Sequence, residues 1–137
     1  VSGDHGDMDV LACELRNGVA CVELFMARDG HNLGNKSFFP RLGGSAAGDE
    51  DAATVLSAFV HQYYLGRRDV PPTILVSQPI ADAELLQAVL REQCGRKVEI
   101  RRPQRGQAVR WLQLAETNLS HSLDRRLAGN ANLQRRF

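Results

Sequence analysis

Two dipeptides, Asn17-Gly18 and Asp29-Gly30, constrain this chain more than any other feature. Both tolerate the positive backbone angles of a tight hairpin turn and so match the twist of paired antiparallel strands. The runs around them suit that role. DVLACELR (9–16) and VACVELFMAR (19–28) are apolar with few polar interruptions, and HNLGNKSFF (31–39) ends at Pro40. Three consecutive strands are therefore expected to open the chain, with Gly34 marking a bulge in the third.

The pattern then changes period. After RLGGSAAG (41–48), which reads as a connection, Asp49, Glu50 and Asp51 suit a helix N-terminus, and Ala52, Val55, Leu56, Phe59, Val60, Tyr63 and Tyr64 recur at helical spacing. Gly66 stops that helix, and Pro71-Pro72 lead into TILVS (73–77), short and branched enough for a buried strand. A second helix is expected from about Ala81 to Cys94, with Leu85, Leu86, Val89 and Leu90 as its apolar stripe and Gly95 as terminator. Lys97–Arg101 reads as the last strand. A long helix follows Gly106, with Ala108, Trp111, Leu112, Ala115, Leu119, Ser122, Leu123 and Leu127 on one face and its end at Gly129. The order βββαβαβα predicts an α/β domain with a five-stranded mixed sheet and helices on both faces. Ribonuclease-H-like domains use this order.

With 137 residues the chain can bury one core without a metal or disulfide staple. Residues 9–128 are expected to form the domain, with 1–8 a linker or disordered N-terminus and 129–137 the start of a linker or helix to a following domain. No stretch reaches the roughly 20 apolar residues of a membrane span, and the acidic, glycine-containing N-terminus suggests the cytoplasm or an internal fragment. Cys13, Cys21 and Cys94 form no CxxC pair, and His5, His31, His61 and His121 are scattered, so reduced buried thiols and no zinc are expected.

A ribonuclease-H-like nuclease holds two magnesium ions with three or four carboxylates from its first strand, first helix and the strand after it. Here the first strand offers only Glu14, and Arg16 puts a cation where an acid would be most useful. The first helix has acids only in its opening turn, and TILVS runs into Ser77 and Gln78 with no acid until Asp82. No catalytic and no metal-binding residue is therefore expected. GGSAAG lacks the lysine and spacing of a phosphate-binding loop, Ser45 has no histidine and acid in a readable motif, and Tyr63 and Tyr64 read as core and core edge rather than as stacking platforms.

Charge is unevenly placed. Residues 1–90 hold 6 Lys/Arg against 12 Asp/Glu, whereas residues 91–137 hold 11 against 4. Arg96, Lys97, Arg101, Arg102, Arg105 and Arg110 surround the last strand and the turn after it, where Gly106 opens a helix. They are the candidate residues for contact with nucleic acid or an acidic partner. Only Trp111 is interleaved, so reading of bases is not expected there.

The segments ACVELFMARDGHNLGNKSFFP (20–40), FVHQYYLG (59–66), PPTILVS (71–77) and RRPQRGQAVRWLQLAETN (101–118) resemble the middle region of the C subunit of the bacterial UvrABC excinuclease, and the resemblance covers residues 9–127. It implies a parent that makes the two incisions of nucleotide excision repair, within the DNA-damage and SOS response, together with a UvrB-like subunit at damaged DNA. The segment would follow the helical motif that binds the B subunit and precede the second nuclease domain and paired helix-hairpin-helix modules. The resemblance leaves both catalytic centres, and their Mg2+ or Mn2+, outside this chain. It also marks a departure at Arg16, where many members carry an acid. The expected role is a monomeric, non-catalytic domain that positions the nuclease modules and contacts DNA or the B subunit through its basic face. A purely structural spacer and a metal-dependent nuclease are the alternatives.

Overall fold

The computed structural model describes residues 7–29, 31–41 and 51–135. They form β1 (Met8–Arg16), β2 (Val19–Arg28), β3 (His31–Phe38), α1 (Ala52–Tyr64), β4 (Thr73–Val76), α2 (Ala83–Cys94), β5 (Glu99–Arg101) and α3 (Gln107–Arg135). The five strands make one sheet in the order β3-β2-β1-β4-β5. β1–β2 and β2–β3 pair antiparallel, while β1–β4 and β4–β5 pair parallel. This is the mixed sheet that the order of turn signals predicts.

The first hairpin closes as its dipeptide requires, with Arg16 opposite Val19 and positive φ at Asn17 (52°) and Gly18 (77°). In the second pair the register slips by one residue: Met26 faces Gly34 but Ala27 faces Asn32. Gly34 takes φ 140°, a conformation that side chains avoid, so the bulge sits where the lone glycine in the strand permits it.

Strand alternation sends β1 residues to two cores. Leu11 and Cys13 join Val22 and Leu24 beneath α1 and α2, packed with Val55, Leu56, Val60, Tyr64, Leu86 and Leu90. Val10 and Ala12 join Cys21 and Phe25 on the opposite face, against Leu112, Ala115, Leu119 and Leu123 of α3. Each buried leucine contributes about 1.5–3 kcal/mol relative to an exposed one. Tyr64 is core, and Tyr63 is half-buried beside it. No helix among the described residues is long and apolar enough to cross a membrane.

Some boundaries and one helix face differ from expectation: β5 is Glu99–Arg101, shorter than the expected Lys97–Arg101. α2 begins at Ala83 rather than Ala81, because the Ala81 backbone is tied to α1: its N–H donates to Ser57 Oγ (2.9 Å) and its carbonyl meets His61 Nε2 (2.8 Å). Only half of the expected α2 stripe is core, with Leu86 and Leu90 buried but Leu85 63% and Val89 38% exposed. One side of a surface helix suffices to cover the sheet edge, and these two lie off it. Gly129 does not end α3, which continues to Arg135. An interior glycine costs about 1 kcal/mol relative to alanine, and Ala131, Leu133, Gln134 and Arg135 after it, with no proline, continue the helix. The expected connection at 41–48 lies, beyond Arg41, outside the described residues, as do Asp49 and Glu50. Asp51 caps α1, its carboxylate accepting from Thr54 N (2.8 Å), a bond that lowers its pKa.

Candidate nucleic-acid interface

Ligands of open α/β sheets bind beyond the carboxyl ends of the strands, where neighbouring connections diverge. In this sheet that point lies between β1 and β4, and it is closed by neutral groups. Ser77 N donates to Leu11 O (3.0 Å), and Cys13 N donates to Ser77 Oγ (3.2 Å). Burial pushes the Cys13 thiol up to about 12, so it carries no charge there.

The nearest acids are occupied. Arg16 reaches Glu14 Oε2 through Nη2 (2.8 Å) and Asp124 Oδ1 through Nη1 (2.6 Å), with Ser120 Oγ at 3.4 Å. A guanidinium thus holds the carboxylates of β1 and α3 together, and the bond to Glu14 favours its charged form. Among the described residues no group of three His, Cys, Asp or Glu side chains could hold a metal ion.

Two buried acids escaped the sequence reading. Asp9, on β1, is 4% exposed and accepts from Tyr64 Oη (2.6 Å) and Arg28 Nη1 (3.2 Å). Glu23, on β2, is fully buried and accepts from Asn35 Nδ2 (2.6 Å) and Ser37 Oγ (2.5 Å), with Ser122 Oγ at 3.3 Å. One signal pointed to Glu23. An acid inside an apolar run, on an inner strand of a sheet covered on both faces, has nowhere to go but the core. Asp9 and Glu23 do not converge on Glu14, and each is saturated by local donors.

The basic candidates divide between the two ends of β5. Arg96 and Lys97 precede it, and Arg96 Nη2 donates to Val70 O, ahead of β4. At the other end, Arg101 faces Leu75 near the carboxyl end of β4, Arg102 follows, and Arg105, Gly106 and Arg110 line a shallow depression of about 420 Å3 with Gln107, Val109 and Gln113. Gly106 takes φ 88°, turning the chain into α3. Arg101, Arg102, Arg105 and Arg110 are exposed, and the ion pairs among the described residues involve only Arg16 and Arg28. Trp111 is half-buried edge-on against Phe25, with centroids 5.9 Å apart, which removes the one nearby aromatic from service as a stacking platform.

The family model described as the UvrC Ribonuclease H-like domain matches residues 7–126. The chain belongs to the UvrC ribonuclease-H-like domain family. It is 42% identical over 137 residues to UvrABC system protein C of Nitrosococcus oceani, covering all of this chain and 22% of that protein. The corresponding protein of Methylococcus capsulatus is 38% identical over the same length, again with 22% covered. That of Alkalilimnicola ehrlichii is 39% identical over 131 residues, 96% of this chain and 21% of the relative. The chain therefore spans about a fifth of the length of the curated relatives it matches. Within this UvrC domain, Arg16 closes β1 and Ser77 follows β4, with Cys13 inside β1 bonded through its N–H to Ser77.

Proposed function

We propose that this UvrC ribonuclease-H-like domain is non-catalytic, and that it serves a nucleotide excision repair endonuclease by spacing its nuclease modules and contacting DNA or a UvrB-like subunit through the turn after β5. The Arg16 bridge carries the first half of this reading. It places a cation between Glu14 and Asp124, and a divalent metal would have to displace it. Any Mg2+ or Mn2+ then serves nuclease domains elsewhere in the parent.

The contact reading rests on Arg101, Arg102, Arg105 and Arg110, exposed at one end of the sheet beside the start of α3. Guanidinium groups in this setting bind phosphate oxygens and give affinity without sequence preference.

The purified chain incubated with magnesium or manganese and nicked, duplex or bubble DNA should leave every substrate intact. Metal-dependent cleavage that Glu14→Gln abolishes would overturn the non-catalytic reading. Fluorescence anisotropy of labelled duplex separates a binding module from a pure spacer, because only the former gives a salt-dependent rise.

A further inference from the structure

At the β3 edge of the sheet, opposite β5, a cleft of about 450 Å3 is lined by Phe38, Phe39, Pro40, Phe59, Tyr63 and Arg67, with Gln62 at its rim. Its aromatic wall is continuous. Phe38 sits 5.0 Å from Phe59 and 5.9 Å from Tyr63, and Phe59 stacks on Tyr63 at 5.4 Å and 15°. Tyr64 is core at 1% exposed, whereas Tyr63 is half-buried and packs at the core's edge.

One guanidinium stands on this wall, and a second lies round the sheet edge on Phe39, whose ring packs on the α3 side. Arg67 lies over the Tyr63 ring, 3.9 Å from its centroid, and its Nε donates to Tyr63 O (2.8 Å), so one face of its plane is seated while the side chain stays exposed. Arg126 lies 4.5 Å from the Phe39 centroid, and beside it Arg125, Ser37 and Ser122 line an adjoining depression of about 260 Å3 that shares Phe39 with the cleft. Arg67, Arg125 and Arg126 form no ion pair among the described residues.

We propose that this cleft binds an unpaired nucleotide of single-stranded nucleic acid. The base lies against Phe38, Phe39 and Pro40 and on the outer face of the Arg67 guanidinium, while the flanking phosphates meet Arg67 on one side and Arg125 and Arg126 on the other. Aromatic surface with one cation on the wall and others round the sheet edge matches a base bounded by two phosphates, and stacking of this kind tolerates any base. Gln62 supplies an amide that both donates and accepts, suited to a base edge. An apolar peptide anchor would fill the ring surface but leave these cations unanswered.

The site is independent of the basic turn. Order β3-β2-β1-β4-β5 puts β3, which carries Phe38, and β5, which leads into the basic turn, four strand spacings or roughly 19 Å apart. Nothing in the reading of Arg102, Arg105 and Arg110 is needed for it.

The test is fluorescence anisotropy of the 137-residue chain with a labelled oligothymidylate of roughly 10 nucleotides and with a duplex of equal length. Arg67→Ala and Phe39→Leu should each weaken oligothymidylate binding about tenfold while leaving duplex binding unchanged. Arg67→Lys should keep the salt dependence but not the affinity, since an ammonium offers no plane. Arg67 is exposed, so its variants isolate the site even where Phe39→Leu disturbs folding, which a thermal melt reports. Unchanged oligothymidylate affinity in Arg67→Ala overturns the proposal, as does full rescue by lysine or an equal loss for duplex. So does movement of the Phe39 and Tyr63 ring resonances by a UvrB-like subunit but not by oligothymidylate, which would assign the cleft to a protein partner.

Discussion

Tyr64 Oη donates to Asp9 Oδ2 at 2.6 Å, tying the end of α1 to the first turn-free residues of β1 across 55 positions of sequence. Arg28 holds the other carboxylate oxygen at 3.2 Å. Desolvation nevertheless dominates and raises the Asp9 pKa above its ordinary 3.8, with Tyr64 and Arg28 pulling it down by less. The folded chain therefore binds a proton at Asp9 more readily than the unfolded chain. Stability from this residue is fully present below the unfolded value and is lost as pH rises through the folded one. Between about pH 7 and pH 4, acidification should stabilise the parent relative to Asp9→Asn, as read by urea midpoints. Tyr64→Phe removes a bond to the charged form, so it should cost about 1.5–3 kcal/mol near neutrality and less in acid. A Tyr64→Phe deficit that does not shrink on acidification would show that the pair is not coupled in this way.

The three thiols should separate by reactivity. Burial pushes both Cys13 and Cys21 up to about 12, whereas Cys94 is half-buried at the end of α2 with Sγ near Arg67 O (3.7 Å). A thiol-reactive chromophore at about pH 8 should modify Cys94 alone in the native chain and all three cysteines in denaturant. Rapid native modification of Cys13 or Cys21 would mean that the two cores open far more often than their packing implies.

Local signals gave the hairpins and α1, because the chemistry that sets them lies within a few residues: positive φ at Asn17 and Gly18, an Asp51 cap, and apolar spacing up to Tyr64. What escaped was the set of polar groups satisfied at long range. Asp9 depends on Tyr64, and Glu23 on Ser122, 99 residues away, so the apolar run around Glu23 signals its burial but the partners of neither acid can be read from its neighbours. The cleft escaped for the same reason, since Phe38 and Tyr63 meet only when β3 and α1 are placed side by side. The exposure of Leu85 and Val89 depends likewise on how α2 is rotated over the sheet edge, which periodicity leaves open.

Glu23 makes this dependence testable. Ser37 Oγ and Ser122 Oγ lie 2.7 Å apart and both point at its Oε1, so one buried carboxylate links β2, β3 and α3. Glu23→Ala leaves the buried Ser122 hydroxyl without its carboxylate acceptor, at a cost of about 1–3 kcal/mol, whereas the exposed Asn35 and Ser37 donors can turn to water. The loss should fall on the docking of α3 first. Hydrogen exchange of amides in 119–126 should accelerate more than that of α1, and uniform acceleration across both helices would instead indicate global destabilisation.

The basic turn admits a quantitative check. Arg102, Arg105 and Arg110 are exposed on the same side of β5, beyond the carboxyl end of β4, while Arg96 and Lys97 lie before β5, with Arg96 bonded to Val70 O. If the turn meets phosphates, each arginine engaged lowers the slope of log affinity against log salt by about 0.9 on duplex DNA. Charge reversal at Arg102, Arg105 and Arg110 together should therefore flatten the slope by roughly 2–3 and weaken duplex binding at all sequences alike. Reversal at Lys97 should change the slope by less, because it lies at the other end of the strand. Titrations at several salt concentrations distinguish these outcomes. Equal effects from the two ends would make the contact a diffuse property of net charge, and no effect from the triple reversal would remove DNA from the turn altogether and leave it to a protein partner.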